Sequence, residues 1–296
     1  MQFVLKVLFN QKLNSMKKIY TLLFLALVCS VSAQNYRFVY EYKMKSDIDN
    51  EDSYITDYMN LDSDGKKSYF YNAVKYERDS IYQADKDLKM LFKSKNYDRN
   101  LGYIVEKDYS KREANLYDKY KTANLVIADR EVPKWSVQKE FLKINGIDCQ
   151  KAIAQYKGRE WEAWFSKEYP ISDGPYKFNA LPGLVIRIKD MDNHHVFNMI
   201  QVKKVNSIFS FVPKNNKKMS DQEYRKLLKN ETFSPEDIES INIDRQTGKM
   251  GVQLKDGYAT QLDMGQIKKA GKGNEDAELA RLLKKSNNPI EKENSK

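Results

Sequence analysis

The densest set of potential metal ligands in the chain is His194-His195 with Asp190 and Asp192. Two imidazoles and a carboxylate would suit a transition metal. These are the only two His among 296 residues, so any His-based hydrolysis must use them. Neighbouring strand residues point to opposite faces, which keeps the two rings from converging. A polar turn tip accounts for all four residues, and no metal is expected. Glu160 and Glu162 share one strand face, roughly 7 Å apart. Glycosidases place their carboxyl pairs at such spacings, but no acceptor cleft can be read beside them, and a solvated sheet face explains both. The remaining nucleophile is Cys149, with no His near it in sequence. A half-buried strand residue is the plainer account of it.

No G-x-S-x-G, H-E-x-x-H, phosphate-binding or dinucleotide-binding pattern occurs. The acidic run at Asp47, Asp49 and Glu51-Asp52 lacks the Gly that a calcium loop needs. No cofactor is expected. Basic and acidic residues are interspersed, as on a solvated surface, and no basic stripe with stacking aromatics marks a nucleic-acid site.

The elements that must position any site centre on Ile144–Asp190. Gln150–Tyr156 and Arg159–Ser166 read as two strands joined at Lys157-Gly158, because Gly accepts positive φ without a Cβ clash. A two-residue loop sets Tyr156 against Arg159, Ala154 against Trp161, Ala152 against Ala163 and Gln150 against Phe165. Small Ala beside Trp and Phe makes this the core face. On the other face Lys151 lies over Trp164 as a cation–π pair. A one-residue slip would reverse every assignment. Gly174-Pro175 marks an irregular loop, and Leu181-Pro182-Gly183-Leu184 fits a type II turn. Strand Leu184–Asp190 follows, then Asp192-Asn193 as a turn and strand His195–Val205, with Ile188 opposite Phe197 and Ile186 opposite Met199.

This stretch resembles the GLPGLI family of small exported Gram-negative proteins. The resemblance rests on Ile147-Asp148-Cys149-Gln150-Lys151-Ala152, Gly158-Arg159, Ala163-Trp164-Phe165, Ile171 to Pro175, and Ala180-Leu181-Pro182-Gly183-Leu184-Val185. Ala180 stands where the name has its first Gly, and Val185 where it has its last Ile. The family motif therefore comprises Cys149, Gly158, Arg159, Trp164, Gly174, Pro175, Leu181, Pro182, Gly183 and Leu184. Members are often encoded near TonB-dependent outer-membrane receptors. The resemblance thus implies an envelope setting and, as a possible partner, such a receptor.

Residues 16–33 read as a signal peptide: Lys17-Lys18, an apolar run from Ile19 to Val28, and Val31-Ser32-Ala33 at the cleavage site. Residues 1–15 then read as a mis-called start before Met16. The apolar run is short of the ~20 residues that span a bilayer, and no later stretch is long and apolar enough. Removing 1–33, with its four Lys, leaves 47 basic against 41 acidic residues. It also leaves Cys149 without an intramolecular partner.

Elsewhere Tyr36, Phe38, Tyr40, Tyr42 and Met44 alternate along a strand. Strand patterns continue at 53–61, 66–72, 101–109, 114–120 and 125–128, and Trp135 opens another; 82–92 is ambiguous. Ser220 and Glu223 predict a capping box ahead of a helix over 221–229. Short strands at 241–244 and 251–254 follow. The predicted fold is mainly β, a strongly curved antiparallel sheet or half-barrel with a few helices towards the C-terminus. It forms one domain over 34–265, then a Lys/Gly-rich tail over 266–296 with a short helix near 276–285 and the last ten residues disordered. The functional expectation is a non-enzymatic protein of the periplasm or outer membrane. It binds an apolar ligand or a membrane-protein partner, with Trp161, Trp164, Tyr176 and Phe178 as candidate contacts. The alternative is a metal-binding or hydrolytic protein using His194/His195 or Cys149. A structural surface component with no ligand is a third reading.

Overall fold

The computed structural model describes residues 35–85, 97–231, 233–269, 271–283 and 285–292. The mis-called start, the signal peptide and most of the ambiguous 82–92 stretch lie outside them. The described residues form one compact unit.

Alternating apolar residues build strand β1 (Tyr36–Lys45), whose Phe38, Tyr40, Tyr42 and Met44 are all buried on one face. Antiparallel neighbours β2 (Tyr54–Ser63) and β3 (Lys67–Asn72) continue that face, followed by β4 (Ile104–Asp108), β5 (Glu113–Tyr120) and β6 (Ala123–Asp129). The register sets Phe38, Leu61, Phe70, Val105, Leu116 and Ile127 in a single row across six strands. Every member of that row is buried. On the other side of β1 lie β11 (His195–Lys204), β10 (Leu184–Asp190), β9 (Arg159–Ser166), β8 (Ile147–Tyr156) and β7 (Ser136–Ile144). A short β12 (Lys217–Met219) pairs with β6 in parallel and completes twelve strands.

This sheet is strongly curved. Asp129 ends β6 and Lys157 tips the β8–β9 hairpin, eight strand spacings away from β6 to β9 in the sheet order. Laid flat, those spacings would separate them by about 38 Å. Instead the Lys157 ammonium sits 2.9 Å from the Asp129 carboxylate. The curl encloses the loop between β9 and β10, whose Tyr176, Phe178 and Leu181 are buried. Phe178 is the hub: its ring centroid lies 4.5 Å from that of Trp161, 5.9 Å from Tyr156 and 6.3 Å from Phe197.

The β8–β9 hairpin has the expected register, from Gln150 opposite Phe165 to Tyr156 opposite Arg159. Lys157 and Gly158 both take positive φ, +51° and +72°, as a two-residue turn of mirror-image type requires. Ile188 faces Phe197 as predicted. The Leu181–Leu184 corner differs from the expected type II turn. The Gly183 N–H donates to Leu181 O at 2.8 Å, a tighter three-residue turn. Gly is needed there for a close approach, since a Cβ would lie 2.2 Å from Ser166 O.

Four α-helices occur among the described residues. Helix α1 (Ala73–Asp85) was not anticipated; the Asn72 side chain accepts the Lys75 N–H at 2.8 Å and starts it. Helix α2 (Asp221–Lys229) carries the predicted capping box. A second sheet of β13 (Ile238–Asp244), β14 (Lys249–Leu254) and β15 (Ala259–Asp263) packs with α3 (Met264–Lys269) and α4 (Glu275–Leu283). Val252, Leu254, Ile267 and Leu283 form its core. The expectation of disorder in the last ten residues fails for 287–292. Asn288 and Glu291 are buried, Ile290 packs on the main core, and the Lys292 N–H donates to Lys157 O at 2.9 Å. Polar composition alone misses such a segment because its partners are buried charges elsewhere in the chain.

Candidate functional site

The curled sheet, α2, α4 and the segment after α4 surround a cavity of about 900 Å³. Strand β1 contributes Tyr42 and Met44, β5 contributes Leu116, and the loop between β9 and β10 contributes Tyr176. Tyr224 and Leu228 enter from α2, Ala277 and Ala280 from α4, and Ile290 from the terminal segment. Each arrives by local logic. Alternation along β1 turns Tyr42 and Met44 inward, and helical spacing puts Tyr224 and Leu228 on the buried side of α2. The volume falls within the range of sites that engulf a small ligand. A polar side runs through Arg99, Glu231, Lys285 and Asp118. Arg99 donates to Asp256 at 2.7 Å and Glu231 at 3.2 Å, and Lys285 lies 3.4 Å from Asp118. Tyr103 also lines the cavity, and its hydroxyl is buried without a hydrogen-bond partner among the described residues.

Beside the cavity lies a buried ionic cluster built largely from the motif stretch. Arg159 pairs with Asp190 at 2.7 Å. Lys177 reaches Asp129 at 3.0 Å and Glu291 at 2.6 Å, and the Tyr176 hydroxyl donates to Glu291 at 2.7 Å. Burial alone would pull the Lys177 ammonium down, but Glu291 and Asp129 outweigh it and raise it. Lys107 is buried against Asp173 and donates to Gly174 O at 2.5 Å. Charges so placed must be paired, because their desolvation is costly. Within this stretch a Cβ on Gly174 would lie 2.8 Å from the Val185 side chain, Gly158 leaves room for Lys292, and Arg159 holds the terminal segment.

Of the four aromatic candidates, only Tyr176 lines the cavity. Trp161 and Phe178 are core residues. Trp164 sits on the outer face, its ring 5.9 Å from the Lys151 ammonium, as the cation–π expectation has it. The two His diverge as strand geometry requires. His195 is fully buried with its Nδ1 2.7 Å from the Tyr42 hydroxyl, and burial drives its pKa well below the ordinary value. His194 groups instead with Asp190 and Asp192, with ligand atoms within 4.8 Å of one another. Asp190 already accepts from Arg159 and from the His195 N–H at 2.8 Å. Cys149 is buried, and burial pushes its thiol up to about 11. Glu160 is exposed. Partial burial would raise Glu162, but bonds from the Trp164 indole and Lys151 outweigh it and hold it low. The cavity residues Tyr42, Leu116 and Leu228 carried no separate signal in the sequence, where they read as ordinary apolar positions of a strand or helix.

Residues 106–187 match the family model described as "Protein of unknown function (Porph_ging)", a stretch well under half of the chain. No curated protein matches the chain. Among solved structures it is similar to PNGF-II, at 15% identity and a TM-score of 0.46, over 75% of this chain and 41% of that one. It is also similar to a domain assigned to outer membrane lipoprotein sorting from Vibrio parahaemolyticus, at 8% identity and a TM-score of 0.28, over 61% of this chain and 89% of that one. A DUF1329 family protein from Desulfovibrio piger gives 9% identity and a TM-score of 0.28, over 61% and 89%. The chain spans about two fifths of the length of PNGF-II. No described helix is long and apolar enough to cross a membrane.

Proposed function

We propose that this chain is a non-enzymatic, exported envelope protein that binds an apolar ligand, lipid or peptide, between the curled sheet and helices α2 and α4. The observation that carries the reading is the cavity of about 900 Å³ with Tyr42, Met44, Leu116, Leu228 and Ile290 on its walls. Apolar surface left open to water on this scale costs stability, and an apolar occupant recovers it. The resemblance to the GLPGLI family adds the envelope setting. It also adds an extension of the same reading, service to a TonB-dependent outer-membrane receptor. The absence of an enzymatic role is supported by burial of Cys149 and His195. A thiol raised to about 11 is no nucleophile at neutral pH. A fully buried His195 is shut away from substrate.

A second reading places a metal at Asp190, Asp192 and His194, whose ligand atoms are close enough to share an ion. It is weaker, because Asp190 is already committed to Arg159 and to a backbone N–H. Native mass spectrometry of protein purified from an envelope fraction tests both. A lipid or peptide adduct is expected in the native chain and absent from Ala280→Trp, which fills the cavity from α4. Bare protein across several preparations counts against the ligand reading, and an adduct that survives Ala280→Trp places the ligand elsewhere. Elemental analysis that finds one metal equivalent, lost in His194→Ala, would favour the second reading.

A further inference from the structure

Segment Ser286–Lys292 is gripped by side chains that read its sequence. Arg159 Nη2 donates to Asn288 Oδ1 at 2.6 Å and to Pro289 O at 2.7 Å, and its Nε donates to Ile290 O at 3.1 Å. The Asn288 amide donates to Lys45 O at 2.9 Å. Ile290 packs on the apolar core. Glu291 accepts from Tyr176 and Lys177, and the Lys292 N–H donates to Lys157 O. The fit leaves no slack at the hairpin tip, where a Cβ on Gly158 would lie 2.7 Å from Lys292 O.

Three features set this apart from an ordinary chain end folded onto a core. Recognition runs through one amide, one aliphatic and one carboxylate side chain, each with its own partner, which is how peptide sites achieve specificity. Next, α4 and the segment follow a turn in which Gly271 and Gly273 both take positive φ, +91° and +92°. Gly takes such φ without a Cβ clash, which lets the chain turn sharply between α3 and α4. Third, Lys157, Arg159, Tyr176 and Lys177 all fall inside the stretch that matches the family model, 106–187, whereas the segment they hold falls outside it. Most of the dock thus lies in the matched stretch, while Lys45, Asp190 and the segment lie outside it.

We propose that the groove formed by the β8–β9 hairpin tip, Tyr176-Lys177 and Asp190 is a peptide-recognition site. It takes, in trans, a partner segment that presents a side-chain amide, an aliphatic residue two positions on and then a carboxylate. The chain's own Asn288-Pro289-Ile290-Glu291 occupies it in cis as the resident competitor. Tethering gives that competitor an effective concentration on the order of millimolar, so an incoming peptide meets a filled site unless the tether is weakened.

The test uses the full chain and a fluorescein-labelled peptide, Ser-Asn-Asn-Pro-Ile-Glu-Lys, followed by anisotropy. The double variant Asn288→Ala/Glu291→Gln weakens the cis contact and leaves the dock intact. It is expected to bind the peptide at least about tenfold more tightly than the native chain does. The peptide with Gln for its Glu should bind that variant about tenfold more weakly, the scale of one lost charge-assisted contact. A folded double variant that binds the peptide no better than a scrambled sequence overturns the proposal. So does equal binding of the Glu and Gln peptides. Should the variant fail to fold, hydrogen exchange on the native chain at millimolar peptide decides. Faster exchange over 286–292 supports displacement, and unchanged protection overturns it.

Discussion

Ala180 and Gly183 stand in one short corner under opposite constraints. Ala180 holds φ at +68°, a left-handed conformation that costs an L-residue about 1–2 kcal/mol. Gly at 180 removes that strain and adds chain entropy to the unfolded state, worth about 0.4–1 kcal/mol. Ala180→Gly is therefore expected to stabilise the fold by up to about 1 kcal/mol, seen as a higher urea midpoint at unchanged slope. Gly183 is under a steric constraint instead, with Ser166 O 2.2 Å from where a Cβ would stand. Gly183→Ala should cost at least about 2–3 kcal/mol, in the class of overpacked substitutions. Equal midpoints for the two variants would show that this corner is slack.

At the scale of elements, helix α2 depends on its first turn. The Ser220 hydroxyl accepts the Glu223 N–H at 3.3 Å, and Glu223 accepts the Ser220 N–H at 2.9 Å. Ser220→Ala removes one arm of this box and should cost about 1 kcal/mol. Because Tyr224 and Leu228 form a wall of the cavity, the loss should appear twice. Amide exchange over 221–229 should quicken, and any ligand retained by the native chain should be held more weakly. A variant with full ligand retention and slow exchange would mean that tertiary packing, not the cap, holds α2 in place. The β8–β9 hairpin is the complementary case. Its turn and its cross-strand pairs agree, and the tip also carries the ion pairs of Lys157 to Asp129, Glu131 and Asp221.

For the whole molecule, acid is the informative stress. His195 is buried and its pKa is depressed, so the folded state keeps it neutral while the unfolded chain takes up a proton near pH 6.5. Its contribution is fully present above about pH 6.5 and is lost as pH falls towards the folded value, at up to about 1.4 kcal/mol per pH unit. Asp129 shifts in the same direction from a lower start. Burial would raise it, but Lys177 and Lys157 outweigh that and hold it below the ordinary 3.8, so its contribution fades only in stronger acid. Urea titrations from pH 7.5 to 5 should show stability falling by about 1–2 kcal/mol. His195→Gln should flatten that limb and leave the lower one. An unchanged slope in the variant would place the acid sensitivity on another group.

What was legible in the sequence was whatever depends on near neighbours. The alternation of Tyr36 to Met44, the Lys157-Gly158 turn with its flanking pairs, the α2 capping box and the divergence of His194 from His195 all follow from backbone periodicity and local turn chemistry. Those act within a few residues, and the structure has each of them. Helix α1 was illegible because its start rests on a single Asn side chain and its composition is mixed. The Leu181–Leu184 corner was legible as a turn but not as a close approach to Ser166, since the colliding carbonyl belongs to the preceding strand. Tertiary structure alone decided the rest. It curved the sheet until Asp129 met Lys157, led the terminal segment to Arg159, and left a cavity between strands and helices far apart in the chain. The reason is physical: a buried charge or an apolar wall is defined by the group that faces it. In a curled sheet that group comes from a distant strand, which no local pattern can name.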